Sequence, residues 1–292
     1  MERKLLSPKR IREAGRDREP VMRLQEAGGV PFFSFPSLAE SGLVAHGFST
    51  RLGGASRGDF ATMNFSFTRG DRPEDVRENF RRMAGALEVS PERMVLSWQT
   101  HTTNVRRVTE ADAGKGIFCE RDYRDVDGLI TDVPGLTLVT LYADCIPLFF
   151  LDPVRRAIGL SHSGWRGTVS RMGAATIRAM EEAFGSRPED LIACIGPGIC
   201  GECYEVGPEV AQAFQAAFQE KDHARILRPG ADGKWYLNLH QANRIILEES
   251  GICPQHLSVA DLCTCCNPDL FFSHRKHGER RGNLGAFLCL RP

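Results

Sequence analysis

The residues from 138 to 167 constrain the fold of this chain more than any other stretch. They read LVTLYADCIPLFFLDPVRRAIGLSHSGWRG and contain three short apolar runs, at 138–142, 147–151 and 157–160. Apolar runs of about four to eight residues that end at turn-forming residues are typical of buried β-strands. The residues 152–155, Asp-Pro-Val-Arg, form a predicted turn between the second and third runs. The stretch therefore predicts three consecutive strands joined by short connections.

Further apolar runs and helical patterns surround this central stretch. Strands are also predicted at 30–35, 43–49, 63–67, 95–100, 104–108, 129–131, 190–195, 235–239, 257–262 and 284–290. Helices are predicted at 71–87, 168–184 and 210–218, and a fourth ends near residue 250. This mixture predicts an α/β fold. Because no linker-like stretch follows residue 30, we expect one domain at 31–292, preceded by a peripheral extension at 1–30 that is solvated or a frayed helix.

The charge balance of the chain narrows its partners. The 37 Lys and Arg residues equal the 37 Asp and Glu residues, which argues against nucleic acid or an anionic membrane as the main partner. No apolar run reaches the roughly 18 residues of a membrane-spanning helix, and the first residues lack a signal-peptide pattern. We therefore expect a cytoplasmic monomer. In that compartment the ten cysteines are expected to be thiols or metal ligands.

Three residues that favour soft metals follow predicted strands. Cys145 and His162 come after two strands of the central stretch, and His101 follows the strand at 95–100. One thiolate and two imidazoles on zinc leave a fourth position open, which is the pattern of catalytic sites. Bound zinc would lower the pKa of water toward about 7 or polarise a carbonyl or phosphoryl oxygen.

Two other chemistries suit the same side chains. Cysteine with two histidines is also the ligand set of blue-copper sites. Alternatively, Cys145 could act as a nucleophilic thiolate with His162 or His101 as its base. In that case Asp144 would orient the imidazole, although an aspartate at a strand end also commonly accepts hydrogen bonds from backbone amides.

Two loops carry arginines suited to anions. The loop at 163–167, Ser-Gly-Trp-Arg-Gly, leads into the predicted helix with Thr168 as its N-cap. Free amides and the positive end of a helix dipole attract anions there, and Arg166 adds a guanidinium that fits phosphate. The loop at 50–58, which contains Arg51, is rich in Gly, Ser and Arg, but a surface turn explains it equally well.

The chain also contains two Cys-x-x-Cys pairs. Cys200 and Cys203 form the first, and Cys263 and Cys266 the second, 60 positions further along the chain. Zinc ribbons place their second pair about 15–20 residues after the first. We therefore expect buried, reduced thiols rather than a closed zinc site. The zinc nucleobase deaminase signature, H-x-E followed by P-C-x-x-C, is absent from the sequence.

Several motifs in the same order resemble the laccase-domain family. That family was first described as multicopper polyphenol oxidases and is now described as purine nucleoside phosphorylases with adenosine deaminase activity. The matching stretches are HGFSTR at 46–51, MN at 63–64, QTH at 99–101, ADCIPL at 143–148, HSGWRG at 162–167, GPGI at 196–199, CYEV at 203–206, DLCT at 261–264 and FFS at 271–273.

The resemblance implies a single-domain, mixed-sheet α-β sandwich of the cysteine hydrolase-like type, with one catalytic domain. It implies that His101, Cys145 and His162 are zinc ligands at the catalytic centre. It also implies that adenosine, inosine and methylthioadenosine react with phosphate to give the free base and ribose 1-phosphate, and that adenosine is deaminated. A copper-dependent polyphenol oxidase and a Cys-His thiol hydrolase remain alternatives.

We infer substrate-binding roles for three residues at motif positions, Arg51, Asn64 and Arg166. The chain also departs from the family pattern. It has His-Arg-Lys at 274–276 in place of Tyr-Arg-Arg, and Arg-Gly-Asn at 281–283 in place of Thr-Gly-Arg. Its additional cysteines are Cys200, Cys265 and Cys266. The departures at 274–276 and 281–283 therefore bear on which substrate contacts can be carried over from the family.

Overall fold

The computed structural model describes residues 8–11 and 19–292. Fifteen strands lie within these residues. They are β1 (Arg23–Ala27), β2 (Val30–Ser34), β3 (Val44–Ser49), β4 (Met94–Leu96), β5 (Val105–Arg107), β6 (Gly128–Thr131), β7 (Thr137–Tyr142), β8 (Ile146–Asp152), β9 (Ala157–Ser163), β10 (Ile192–Ile195), β11 (Glu205–Val206), β12 (Leu227–Pro229), β13 (Trp235–Leu237), β14 (Leu257–Val259) and β15 (Leu284–Leu290).

Eight α-helices connect or cover these strands within the described residues. They are α1 (Pro36–Ala39), α2 (Pro73–Leu87), α3 (Trp165–Val169), α4 (Met172–Phe184), α5 (Pro208–Ala217), α6 (Glu220–Ile226), α7 (Leu239–Glu249) and α8 (His274–His277). Short 3₁₀ turns lie at Gly58–Phe60, Pro91–Arg93, Glu110–Asp112, Pro188–Asp190 and Pro254–His256.

The strands of the described chain form two large mixed sheets and one small sheet. The first has the order β1-β2-β3-β15-β7-β4, the second β14-β10-β8-β9-β6-β5, and the small one β11-β13-β12. Most neighbours are antiparallel, but β4 with β7, β5 with β6 and β10 with β14 are parallel. The central hairpin pairs β8 with β9 in the register Phe149↔Leu160.

The two large sheets pack face to face between helices. Along β8, Phe149 and Leu151 point into the core between the sheets, while Leu148 and Phe150 point into a second core beneath α4, α5 and α7. This alternation follows from the two-residue period of a strand. Helix α2 covers the outer face of the first sheet with apolar side chains at helical spacing, among them Phe80. The result is the predicted single-domain α-β sandwich.

The start of the domain differs from its prediction. The extension at 1–30 contains β1, an edge strand whose first four residues are exposed and which pairs with β2. Met22 is fully buried, and Arg10 forms an ion pair with Asp261. A frayed helix is therefore wrong for 23–27, and the boundary at residue 30 divides a hairpin. The expectations for residues 1–7 and 12–18 lie outside the described residues.

Three local predictions are also corrected. The residues 63–67 form no strand, although Met63 and Phe65 are buried as their apolar alternation predicts. The predicted helix at 168–184 is two helices, because Arg171 adopts a left-handed conformation between α3 and α4. Strand β9 continues to Ser163, so His162 lies within the strand rather than after it.

Among the described residues, no helix has the length and apolar character needed to cross a membrane.

Candidate metal centre

The structure brings the three predicted metal ligands together at one edge of the sandwich. The ligand atoms of His101, Cys145 and His162 all lie within 4.8 Å of one another. Cys145 occupies the short connection between β7 and β8, and His162 is paired with Pro147 across the β8–β9 hairpin. His101 comes from the loop after β4, which runs parallel to β7. Adjacent strand ends therefore assemble residues that are distant in sequence.

A fully buried carboxylate orients two of the three ligands. The Nδ1 atom of His162 hydrogen-bonds to Asp127 Oδ1 at 2.8 Å, which leaves Nε2 to face the cluster. The backbone amides of Thr100, His101 and Thr102 donate to the same carboxylate at 2.9, 3.0 and 3.1 Å. Metal-binding histidines commonly donate their second ring nitrogen to a carboxylate in this way. Asp127 thus fixes both the ring of His162 and the loop that carries His101.

The electrostatics of the cluster favour a thiolate. Burial raises the pKa of the Cys145 thiol, but the positive charge of His162 and hydrogen bonds from both histidines outweigh it and lower the pKa to about 6. Burial lowers the pKa of His162, yet the Cys145 charge and the Asp127 hydrogen bond raise it to about 9. The thiolate is the form of cysteine that binds metals. The favoured state is therefore a thiolate beside a protonated His162, and metal binding would displace the His162 proton.

The backbone around the cluster is tightly constrained. A Cβ atom on Gly164 would lie 2.9 Å from Cys145 Sγ and 3.0 Å from His101 Cδ2, so only glycine fits there. His101 and Asp144 have φ angles of 67° and 94°, a region that residues other than glycine rarely adopt. Such strain persists where the surrounding structure holds the chain in place.

Asp144 has a different role from the one considered for a thiol hydrolase. Its Oδ1 accepts a hydrogen bond from Thr264 Oγ1 at 2.6 Å, and its Oδ2 accepts one from the Arg275 amide at 2.7 Å. Its backbone oxygen accepts from the Ile199 amide at 2.9 Å. Asp144 therefore joins helix α8 and two loops around the cluster, and Asp127 rather than Asp144 orients an imidazole.

The cluster lies on a cavity of about 570 Å³. This volume is in the range of small-molecule sites. The lining combines aromatic or aliphatic side chains with arginines. The apolar members are Phe67, Leu96, Trp98, Leu141, Trp165, Ile199, Tyr204 and Leu239, and the arginines are Arg69, Arg121, Arg166, Arg275 and Arg281. Within the described lining, Asp144 is the only carboxylate, so the cavity is strongly cationic.

Of these arginines, Arg166 is free to bind an anion, whereas Nη1 of Arg281 already donates to Gly282 O and Asn283 Oδ1. The Arg166 guanidinium stacks on Trp165 at 4.4 Å and forms no hydrogen bond or ion pair with any described residue. Arg281 is 5% exposed, and its buried Nε has no hydrogen-bond partner among residues 8–11 and 19–292. Burial and the charge of Arg69 lower the pKa of Arg281 to about 10, so it remains charged at neutral pH.

The other two predicted substrate residues lie outside the cavity lining. Arg51 donates to the carbonyl oxygens of Ala61 and Pro268 at 3.0 Å and stacks on Phe272. Asn64 is fully buried and donates to Ser66 O and Asp71 Oδ2. Both residues therefore support loops, and direct contact with a substrate is not supported for either. Arg166 is the predicted substrate residue that lines the cavity.

Sequence reasoning missed Asp127 and the arginines other than Arg166. Asp127 precedes β6 and offers no motif by itself, although the Asp-Gly pair at 127–128 marks the start of a strand. Arg275 and Arg281 lie in the two triplets where the chain departs from the family pattern. Those departures are the sequence signal that pointed to this part of the cavity.

Comparison with known proteins identifies the family. Residues 45–291 match the family model described as multi-copper polyphenol oxidoreductase laccase. The chain belongs to this family. It is therefore an enzyme of a family whose members include named purine nucleoside phosphorylases, as the sequence motifs predicted.

Two relatives and one structure illustrate the family. The chain is 36% identical over 252 residues to purine nucleoside phosphorylase YlmD of Bacillus subtilis, covering 85% of this chain and 89% of that protein. It is 31% identical over 237 residues to adenosine deaminase RL5 of an unknown prokaryotic organism, covering 80% and 90%. The crystal structure of the Bacillus licheniformis hypothetical protein YfiH matches with a TM-score of 0.86 and 32% identity, over 92% of this chain and 99% of that one. The structural match confirms the predicted fold.

Proposed function

We propose that this enzyme is a zinc-dependent purine nucleoside phosphorylase that also deaminates adenosine. The observation that carries the proposal is the cationic cavity that ends at a cluster of two histidines and one cysteine. The names of the relatives supply the substrate class. Adenosine, inosine and methylthioadenosine are the expected nucleosides, and phosphate is the second substrate.

His101, Cys145 and His162 have the chemistry of a zinc site with an open position. Sulfur and nitrogen are the donors that zinc prefers, and three protein ligands are typical of its catalytic sites. When bound, zinc supplies a Lewis acid that polarises an oxygen or nitrogen atom in the cavity. The Asp127 carboxylate would hold His162 in the orientation that turns Nε2 toward the metal.

The arginines of the cavity would hold phosphate against the ribose. A guanidinium binds phosphate oxygens through paired hydrogen bonds, and Arg166 has no competing partner among the described residues. Arg281 lines the same cavity and adds a second positive charge for phosphate. The arginines stabilise the negative charge of phosphate, and the cavity holds both reactants together. Both effects lower the barrier to their reaction. A phosphate oxygen then bonds to C1′ as the bond to the base breaks, and the base leaves with the electron pair.

The aromatic side chains would hold the purine. Trp98, Phe67 and Tyr204 line the cavity, and stacking of a base on an aromatic ring contributes about 1–3 kcal/mol. Trp98 is itself held by the guanidinium of Arg121, which lies 4.4 Å from its ring centre. The aromatic side chains would therefore bind the purine base while the nearby arginines bind the phosphate that reacts with the ribose.

The test is the product mixture from adenosine with and without phosphate, using protein of measured metal content. Adenine and ribose 1-phosphate formed only with phosphate, together with inosine in both mixtures, are the expected products. The absence of any nucleoside product from zinc-loaded protein would contradict the proposal. Copper binding with oxidation of phenols would instead support the polyphenol oxidase that the family description names.

A thiol hydrolase is a second candidate because Cys145, His162 and Asp127 are arranged as nucleophile, base and orienting carboxylate. Alkylation of Cys145 would abolish both candidate activities. Only the thiol hydrolase would remain fully active after a chelator has removed the metal. The monomeric state and the cytoplasmic location stay predictions.

A further inference from the structure

We propose that Cys200, Cys203, Cys263 and Cys266 form a second metal site, which binds one zinc ion through four thiolates. This site is closed and structural, and it joins the loop after β10 to the loop after β14. It is separate from the cluster of His101, Cys145 and His162, and it does not depend on the reaction proposed for the cavity.

The sheet topology brings the two cysteine pairs together. Strands β10 and β14 are parallel neighbours in the register Ile195↔Val259. Each Cys-x-x-Cys pair follows the carboxyl end of one of these strands, and an isolated bridge joins Gly198 to Cys263 just beyond them. The carboxyl ends of parallel strands lie at the same edge of a sheet, so pairs that are 60 positions apart in sequence become neighbours in space.

The sulfur positions match a single tetrahedral ion. The four Sγ atoms lie within 4.8 Å of one another, with Cys203 to Cys266 at 3.4 Å and Cys200 to Cys266 at 4.0 Å. Zinc–sulfur bonds of about 2.3 Å in a tetrahedron place sulfurs about 3.8 Å apart. The two observed separations lie on either side of this value. An iron–sulfur cluster inserts further atoms between its ligands and would require wider spacing.

Backbone amides already point at one of the sulfurs. The amides of Cys200 and Cys266 donate to Cys263 Sγ at 3.2 and 3.4 Å. Hydrogen bonds of this kind stabilise the charged form of an acid. Cys200 and Cys263 are 6% and 1% exposed, so several thiolates there require a cation to offset their charge. Each of the four cysteines is a free thiol in the structure.

The proposed site would hold one wall of the active-site cavity. Immediately before and immediately after the first pair, Ile199 and Tyr204 line that cavity. In the second pair's loop, Thr264 donates to the Asp144 carboxylate beside Cys145. The Arg275 guanidinium donates to the carbonyl oxygen of Cys203 at 3.2 Å. The four cysteines are thus positioning residues, which act on the cavity through the loops that they connect.

Zinc content per chain, measured on protein purified under reducing conditions, tests the site. With two clusters available, the wild type is expected to bind two zinc ions, and Cys145→Ala is expected to retain one. The double variant Cys203→Ala/Cys266→Ala is expected to retain the other. Cys265→Ser is the matched control, because this cysteine lies in the same loop but outside the set of four, and it is expected to retain both ions.

Cobalt substitution of the Cys145→Ala protein identifies the ligands without relying on the double variant. Intense sulfur-to-cobalt charge-transfer bands with tetrahedral d–d bands are the expected spectrum. The proposal is overturned if Cys145→Ala protein binds no zinc, if its cobalt spectrum lacks those charge-transfer bands, or if iron fills the site. It is equally overturned if the freshly purified wild type contains a Cys203–Cys266 disulfide in place of the metal.

Discussion

The two clusters of candidate metal ligands in this molecule both form where strands end, but they differ in their surroundings. The first lies where strands of both large sheets end, and the second lies beyond β10 and β14 of the second large sheet. The cluster of His101, Cys145 and His162 has three ligands and faces a cationic cavity. The four-cysteine cluster surrounds its centre with sulfur, and two backbone amides cover one of its sulfurs.

We call the cluster of His101, Cys145 and His162 the open cluster and the four-cysteine cluster the closed cluster, because they differ in the number of protein ligands that they offer to one ion. A zinc ion with three protein ligands has a position left for a reactant, whereas a fourth thiolate closes that position. The open cluster is therefore expected to control the reaction rate, and the closed cluster the stability of the loops. Substitutions in the open cluster or its cavity should therefore change activity most, and substitutions in the closed cluster should change stability most.

Cys145→Ala is expected to have the largest effect. Loss of this ligand removes the metal from the open cluster, and we expect phosphorolysis of adenosine to fall by at least about 100-fold, because even residues behind the ligands can change activity by that factor. Adenine formation and zinc content measure the change. Cys119→Ser is the control, since Cys119 is exposed and outside both clusters. Unchanged zinc content in Cys145→Ala would contradict the ligand assignment.

Asp127→Asn is expected to weaken the open cluster without removing a ligand. The amide cannot provide the charged acceptor for His162, so metal affinity should fall by about 10–100-fold. Competition with a chromophoric chelator measures that affinity. Asp125→Asn is the matched control, because Asp125 is a neighbouring acid that accepts from Thr100 Oγ1 and does not contact His162. Equal affinities for the two variants would remove Asp127 from its orienting role.

Cys203→Ala/Cys266→Ala is expected to lower Tm more, and activity less, than Cys145→Ala does. Loss of a structural metal is expected to cost about 3 kcal/mol of folding free energy, and each kcal/mol lowers Tm by about 2–4 °C in domains of about 150–250 residues. We therefore expect Tm to fall by roughly 6–12 °C, with a smaller loss of activity than in Cys145→Ala. Thermal unfolding beside Cys265→Ser measures the shift. Equal Tm values for the two proteins would contradict the structural role.

Arg166→Ala is expected to have the smallest of these effects. Losing one charge-assisted hydrogen bond of about 1.5 kcal/mol should raise the KM for phosphate roughly tenfold and leave the metal content unchanged. Initial rates at varied phosphate concentration measure this constant. Arg178→Ala is the control because it removes the same charge from an exposed position outside the cavity. An unaltered KM for phosphate would exclude Arg166 from the phosphate subsite.

The sequence correctly predicted the central strands and the proximity of His101, Cys145 and His162. The strand at 284–290 has the predicted bounds, and the three residues meet as expected, because apolar runs and motif order report directly on strands and their ends. The parallel pairing of β10 with β14 was not visible, since the spacing of the cysteine pairs resembled no known zinc motif. For the same reason the sequence favoured separate buried thiols over the four-cysteine cluster.

Other errors arose where packing overrides local pattern. The apolar alternation at 63–67 correctly reports burial, yet Phe65 bonds to the carbonyl oxygen of Asn283 without forming a strand. The charged composition at 23–27 concealed an edge strand, because an edge strand with mostly exposed residues needs no apolar pattern. Asp127 was missed because a buried acid becomes recognisable only through its partners.

The most direct test of this account follows adenosine phosphorolysis, zinc content and Tm together while a chelator removes zinc in steps. We predict that loss of the first zinc, from the open cluster, abolishes adenine formation while Tm changes little. Loss of the second zinc should then lower Tm. Undiminished adenine formation by protein that has lost the zinc of the open cluster would contradict the account.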